Sequence, residues 1–128
     1  MLTKPSDSEL EIMQILWEKG PLTVREVNDF LNIHRRVGYT TSLKIMQIMT
    51  EKKMLIRDTA QRSHIYSPTM DPGDVQTNIL DHVIKTAFRG DTTKLVLSAL
   101  GNKQTSTAEM EEIKALIEEM EKKNHGNS

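Results

Sequence analysis

The sequence predicts a mainly α-helical protein that carries one small β-hairpin, and three observations point that way. Apolar residues recur at helical spacing through most of the 128 positions. A serine or threonine followed three residues later by glutamate opens three of these runs, the signature of a capped helix start. One stretch alone, residues 54–66, lacks helical period and sets β-branched and aromatic residues on either side of a polar loop.

The first helix opens at Ser6-Asp7-Ser8-Glu9, where serine and glutamate can satisfy each other's free backbone donors. Leu10, Met13, Leu16 and Trp17 then share a face, and Gly20-Pro21 ends the run. Thr23-Val24-Arg25-Glu26 opens a second helix of two to three turns, with Val24, Val27, Phe30 and Leu31 as its stripe; His34-Arg35-Arg36 breaks it. After Gly38 a third helix is predicted over residues 40–53, burying Ile45, Met46 and Met49 and turning Thr40, Thr41, Lys44 and Gln47 outward. Residues 54–57 and 63–66 form the hairpin strands, and Pro68 closes the unit.

Beyond it the chain reads as helices alone. Asp71-Pro72 is an N-cap followed by proline at the first helical position, where the missing donor costs nothing. Val75, Ile79, Leu80, Val83, Ile84, Ala87 and Phe88 make a wide apolar face that runs to Gly90. A further helix over residues 92–100 is dominated by Leu95, Val96, Leu97, Ala99 and Leu100. Ser106-Thr107-Ala108-Glu109 opens the last, with Ile113, Leu116, Ile117 and Met120 on one side. The expected division is residues 1–70, residues 71–124, and a polar, disordered tail over residues 125–128.

Composition excludes several classes. With no cysteine there are no disulfides, thiolate zinc sites, iron–sulfur ligands or thiol redox sensors. No apolar run approaches the roughly 18 to 20 residues of a membrane span. The start, Met1-Leu2-Thr3-Lys4-Pro5, lacks the apolar core of a signal peptide, so a cytoplasmic protein with no membrane partner is expected. Net charge is −1, but its distribution is uneven: residues 33–66 hold Arg35, Arg36, Lys44, Lys52, Lys53, Arg57 and Arg62 against only Glu51 and Asp58. A basic segment inside a neutral chain points to a local polyanion contact.

Three helices and a hairpin in the first 68 residues is the order of a winged helix-turn-helix, whose last helix enters the major groove of DNA while the hairpin touches the backbone. Thr40, Thr41, Lys44 and Gln47 suit such a helix, since hydroxyls and an amide can bond base edges and an ammonium can reach guanine or phosphate. Tyr39 at its start can donate to a phosphate or pack on a thymine methyl. Arg35, Arg36, Lys52 and Arg57 are candidate phosphate contacts, and Arg57 and Arg62 flank the hairpin loop. The C-terminal arm of about 55 residues is too small to bury its broad apolar faces alone. A second copy would cover Val83, Phe88, Leu95, Leu97, Leu100, Ile113, Leu116 and Ile117, making the arm a dimerisation domain and the partners of the chain double-stranded operator DNA and itself.

The runs S-D-S-E-L-E-I-M-Q-I-L-W-E-K-G-P-L-T, Y-T-T-S-L-K-I-M-Q-I-M-T-E-K-K-M-L and R-S-H-I-Y-S-P together resemble the penicillinase repressor (BlaI/MecI) family of bacterial transcriptional repressors. The most specific part is E-x-M-x-x-L-W, carried by Glu11, Met13, Leu16 and Trp17. The resemblance implies a dimer whose winged helices bind a palindromic operator, with Thr40, Thr41 and Lys44 on the recognition helix and Arg62 in the wing. It also implies a regulatory protease acting at an Asn-Phe pair, but the matching positions are Ser98-Ala99. Two further departures are Leu43, where a basic residue is usual, and Lys53, where a glycine ends the third helix. The cysteine motif of copper-responsive relatives is missing.

No enzyme chemistry competes with this reading. His34, His64, His82 and His125 share no metal-ligand spacing, Asp81-His82 point about 100° apart on a helix, and there is no phosphate loop or nucleophile elbow. No cofactor is implied. The alternative is a winged helix that has lost DNA reading and serves as a protein-interaction module through its apolar arms.

Overall fold

A computed structural model describes residues 4–101 and 105–126. The order of elements is α1 (Asp7–Lys19), β1 (Leu22–Thr23), α2 (Val24–Leu31), α3 (Tyr39–Glu51), β2 (Leu55–Asp58), β3 (Ile65–Pro68), α4 (Pro72–Thr86), α5 (Thr92–Gly101) and α6 (Thr107–Gly126). The chain divides into two units, the first ending at Asp81 and the second beginning at His82.

Both predicted capping boxes of the first unit form. Ser6 Oγ accepts from the Glu9 amide at 3.2 Å while Glu9 Oε1 accepts from the Ser6 amide at 2.9 Å. Thr23 and Glu26 repeat the exchange at the start of α2. Thr23 also belongs to β1, a two-residue strand that sequence periodicity missed because it is too short to show alternation. The sheet is antiparallel in the order β1-β3-β2, with Leu22 opposite Tyr66 and Arg57 on the other side of the same tyrosine. The hairpin is therefore real, but each strand lies one or two residues later than predicted, and Pro68 ends β3 from within.

The core of the first unit is Ile12, Met13, Leu16, Leu22, Val24, Val27, Leu31, Met46, Met49, Met54, Leu55, Tyr66 and Val75. On α3 the buried stripe is Ser42, Met46 and Met49 at i, i+4, i+7; Ile45, expected inside, is only half-buried. Val75 is buried and Ile79 packs against the same core, so the start of α4 belongs to the first unit and the boundary falls beyond the predicted residue 70. The Trp17 indole N–H donates to the Met70 carbonyl at 2.9 Å, tying α1 to the segment that leads into α4.

Lys53, which stands where a glycine is usual, still ends α3 in the ordinary way. It adopts φ 65°, the left-handed conformation that glycine ordinarily supplies. Its amide donates to the Thr50 carbonyl at 3.0 Å and the Met54 amide to the Met49 carbonyl at 2.8 Å, the paired bonds of a Schellman stop. Thr69 Oγ1 then donates to the Lys53 carbonyl at 2.7 Å, which fastens the turn to the residue after β3.

In the second unit Asp91 caps α5 through the Lys94 amide, and Ser106 caps α6 through the Glu109 amide. α6 continues through Gly126, so residues 125 and 126, expected in a disordered tail, are helical; residues 127–128 lie outside the described residues. Among the described residues, none after Val75 in the chain is buried.

Candidate nucleic-acid interface

The placement of α3 depends on polar groups rather than on its apolar stripe alone. Asn28, buried on α2, donates to Ser42 Oγ at 2.8 Å and to the Val37 carbonyl at 3.0 Å. Asn32 Nδ2 reaches the same carbonyl at 2.8 Å, and Asn32 Oδ1 accepts from the Val37 amide at 3.0 Å. The turn between α2 and α3 is thus closed by two asparagines, with the hydroxyl of fully buried Ser42 as the fixed point on α3. Sequence reasoning named none of the three. The available signal was Ser42 itself, which falls on the Met46–Met49 stripe and needs a hydrogen-bond partner when buried.

α3 presents Thr40, Thr41, Lys44 and Gln47 to solvent, as predicted from its period, and begins one residue earlier than predicted, at the exposed Tyr39. Gly38 is its N-cap and contributes no side-chain hydrogen bond, and the first turn holds no acidic residue. Where α1 and α2 satisfy their leading amides with serine or threonine, α3 leaves its own open at the positive end of the helix dipole. Hydroxyls, open amides and one ammonium on a single face can accept a polyanion and bond to base edges.

The predicted cations separate into two groups. Arg35 is paired with Glu11, and Lys52 Nζ lies 3.0 Å from Glu9 Oε2. These two brace α1 against the turn and against the far end of α3, a structural duty that competes with the phosphate contacts predicted for them. The Lys52 ammonium and the Ser6 amide also act on Glu9: burial alone would raise its pKa, yet their hydrogen bonds and charge hold it below the usual carboxylate value. Arg36, Lys44, Arg57 and Arg62 are exposed and form no ion pair among the described residues. Arg62 lines a groove of about 670 Å³ with Arg25, Tyr39, Leu43 and His64, so the hairpin loop and the start of α3 are brought together. Arg25, which sequence reasoning did not single out, lies there with its guanidinium 4.8 Å from the centre of the Tyr39 ring.

The predicted dimer residues also separate. Within the second unit Phe88, Leu95, Leu100 and Ile113 line one cavity of about 450 Å³ and are half-buried, as is Val83. Leu97, Leu116 and Ile117 each remain at least 50% exposed, and Val96 and Met120 are exposed as well. Ser98 and Ala99 sit inside α5. No group of three or more metal-ligating side chains occurs among the described residues, and no helix there is long and apolar enough to cross a membrane.

The family model described as penicillinase repressor matches residues 5–119. Over 68 residues the chain is 34% identical to the transcriptional regulator BlaI of Mycobacterium tuberculosis, covering 52% of this chain and 49% of that protein. The match thus spans about half the length of the mycobacterial relative. The penicillinase repressor of Staphylococcus aureus is 21% identical over 118 residues, covering 92% of this chain and 94% of its own; that of Bacillus licheniformis is 25% identical over 114 residues, with 89% of each covered. Among solved structures, the solution structure of the DNA-binding domain of the repressor BlaI is similar at TM-score 0.50 and 26% identity, covering 58% of this chain and 93% of that one. With the winged-helix order, the E-x-M-x-x-L-W run of α1 and a family match over nearly the whole chain, this protein belongs to the penicillinase repressor family of DNA-binding transcriptional repressors.

Proposed function

We propose that the chain acts as a homodimeric repressor that binds a pseudo-palindromic operator, one α3 entering each of two successive major grooves, and silences a promoter by occupying it. The observation that carries this reading is the outward face of α3: Thr40, Thr41, Lys44 and Gln47 follow an uncapped helix start, and Arg36 in the preceding turn and Arg57 and Arg62 in the hairpin form no ion pair among the described residues. In this reading the α3 side chains choose the site, while the arginines supply affinity that is independent of sequence. The exposed Leu97, Leu116 and Ile117 support pairing through the second unit, which as a single copy leaves these apolar side chains in water.

The test is fluorescence anisotropy of the purified protein with labelled DNA from upstream of its own gene and with a scrambled duplex, at two salt concentrations. Tighter binding to the native fragment that weakens steeply with salt is the expected result. Weak binding that does not discriminate between the duplexes would overturn operator recognition and favour the protein-interaction reading of the winged helix.

A further inference from the structure

The charge of Arg25 has three available uses, and the structure shows which one is taken. Asp29 lies one turn further along α2, at the i, i+4 spacing that favours an ion pair, and Glu26 is its immediate neighbour. Arg25 is paired with neither. Glu26 is committed to Thr23, accepting from its amide at 3.0 Å and its hydroxyl at 3.1 Å. The guanidinium instead crosses to the next helix and lies 4.8 Å from the centre of the Tyr39 ring, at the first position of α3. Held over the ring, the guanidinium keeps its N–H edge free of any ion pair among the described residues, so the charge stays uncompensated.

The surroundings say what that edge can meet. Arg25 and Tyr39 line the same open groove as Arg62 from the hairpin loop, and both α2 and α3 begin at its margin. The groove is therefore bordered by two arginines from two different elements, against Asp29 as its uncommitted carboxylate. In a helix-turn-helix the helix before the recognition helix crosses the DNA backbone. We infer that Arg25 is a phosphate clamp of the DNA interface, held in position by the Tyr39 ring, so that Tyr39 acts through Arg25 as a positioning residue as well as through its own hydroxyl. This rests on the DNA-binding reading above.

The experiment measures the slope of log affinity against log salt for the full-length protein on its own upstream DNA and on a scrambled duplex. Replacing one phosphate contact is expected to make that slope shallower by about 0.9. Arg25→Ala should show this change and an affinity loss of about tenfold on both duplexes alike. Arg25→Lys should keep the wild-type slope, because the charge remains. Tyr39→Phe should keep the coupling to Arg25 and Tyr39→Leu should lose it, so that relative to Tyr39→Phe the Tyr39→Leu change costs nothing further once Arg25→Ala is in place. A normal wild-type slope that Arg25→Ala leaves unchanged overturns the clamp alone. A wild-type protein without salt-dependent binding overturns the DNA-binding reading itself, and the clamp with it.

Discussion

Asn28 shows how a single amide can decide where a helix sits. Its side chain satisfies a hydroxyl and a carbonyl on the far side of the turn, so its removal leaves buried Ser42 short of a donor. Asn28→Ala should lower unfolding stability by about 1–3 kcal/mol, the range for leaving a buried polar group unsatisfied, and should weaken DNA binding as α3 loses its fixed point. Urea denaturation checks the first effect, and an unchanged midpoint would remove Asn28 from the account. Lys53 predicts a change of the opposite sign. A lysine held at φ 65° carries strain that glycine does not, and Lys53→Gly should stabilise the protein by up to about 1 kcal/mol, read as a rise in thermal midpoint. These two residues mark the limits of sequence reading from different sides. Lys53 was visible as a departure, yet nothing in the sequence says that the backbone tolerates it; the Schellman bonds and Thr69 do. Asn28 was missed because a polar residue on a short amphipathic helix reads as exposed until its partner across the turn is known, and the signal at Ser42, a hydroxyl on the buried stripe of α3, does not by itself name that partner.

The contact of α1 with the end of α3 runs through Glu9 and Lys52, and it is sensitive to acid. Because the folded-state pKa of Glu9 is depressed, its contribution is fully present above the ordinary glutamate value and is lost as pH falls from there through the lower folded value. Wild-type protein should therefore lose stability over that acidic interval more steeply than Glu9→Gln, as denaturation at a series of pH values would show; parallel curves would contradict the assignment. On α3, Lys44→Ala should weaken binding to the native operator by about 1–3 kcal/mol and leave the scrambled duplex nearly unaffected if Lys44 reads a base. Equal losses on both would assign it to phosphate instead. The helices were legible at this scale because capping boxes at Ser6, Thr23 and Ser106 announce themselves in four residues. β1 was not, since two residues have no period, and the hairpin register slipped because the loop residues after Asp58 offer no turn signal that pins it.

For the whole molecule, the contrast between the two units matters most. The first has a core of thirteen buried apolar residues, and in the second none of the described side chains is fully buried. If the chain pairs as proposed, replacing exposed Leu97 and Leu116 together by Asp should shift its sedimentation from dimer to monomer while its helical circular dichroism is retained. A variant that remains dimeric would move the interface elsewhere. The sequence grouped eight apolar side chains as awaiting a second copy, but Phe88, Leu95, Leu100 and Ile113 turn toward one another within a single copy, and of the eight Leu97, Leu116 and Ile117 stay exposed as an outer set.

That outer set has a consequence for dosage. If pairing completes the second unit, halving the amount of chain in a cell at low concentration cuts the amount of dimer about fourfold by mass action. The response of a promoter to this protein would then be steeper than proportional, and modest synthesis or degradation of the chain would move the gene between silent and expressed without any change in the affinity of α3 for its site.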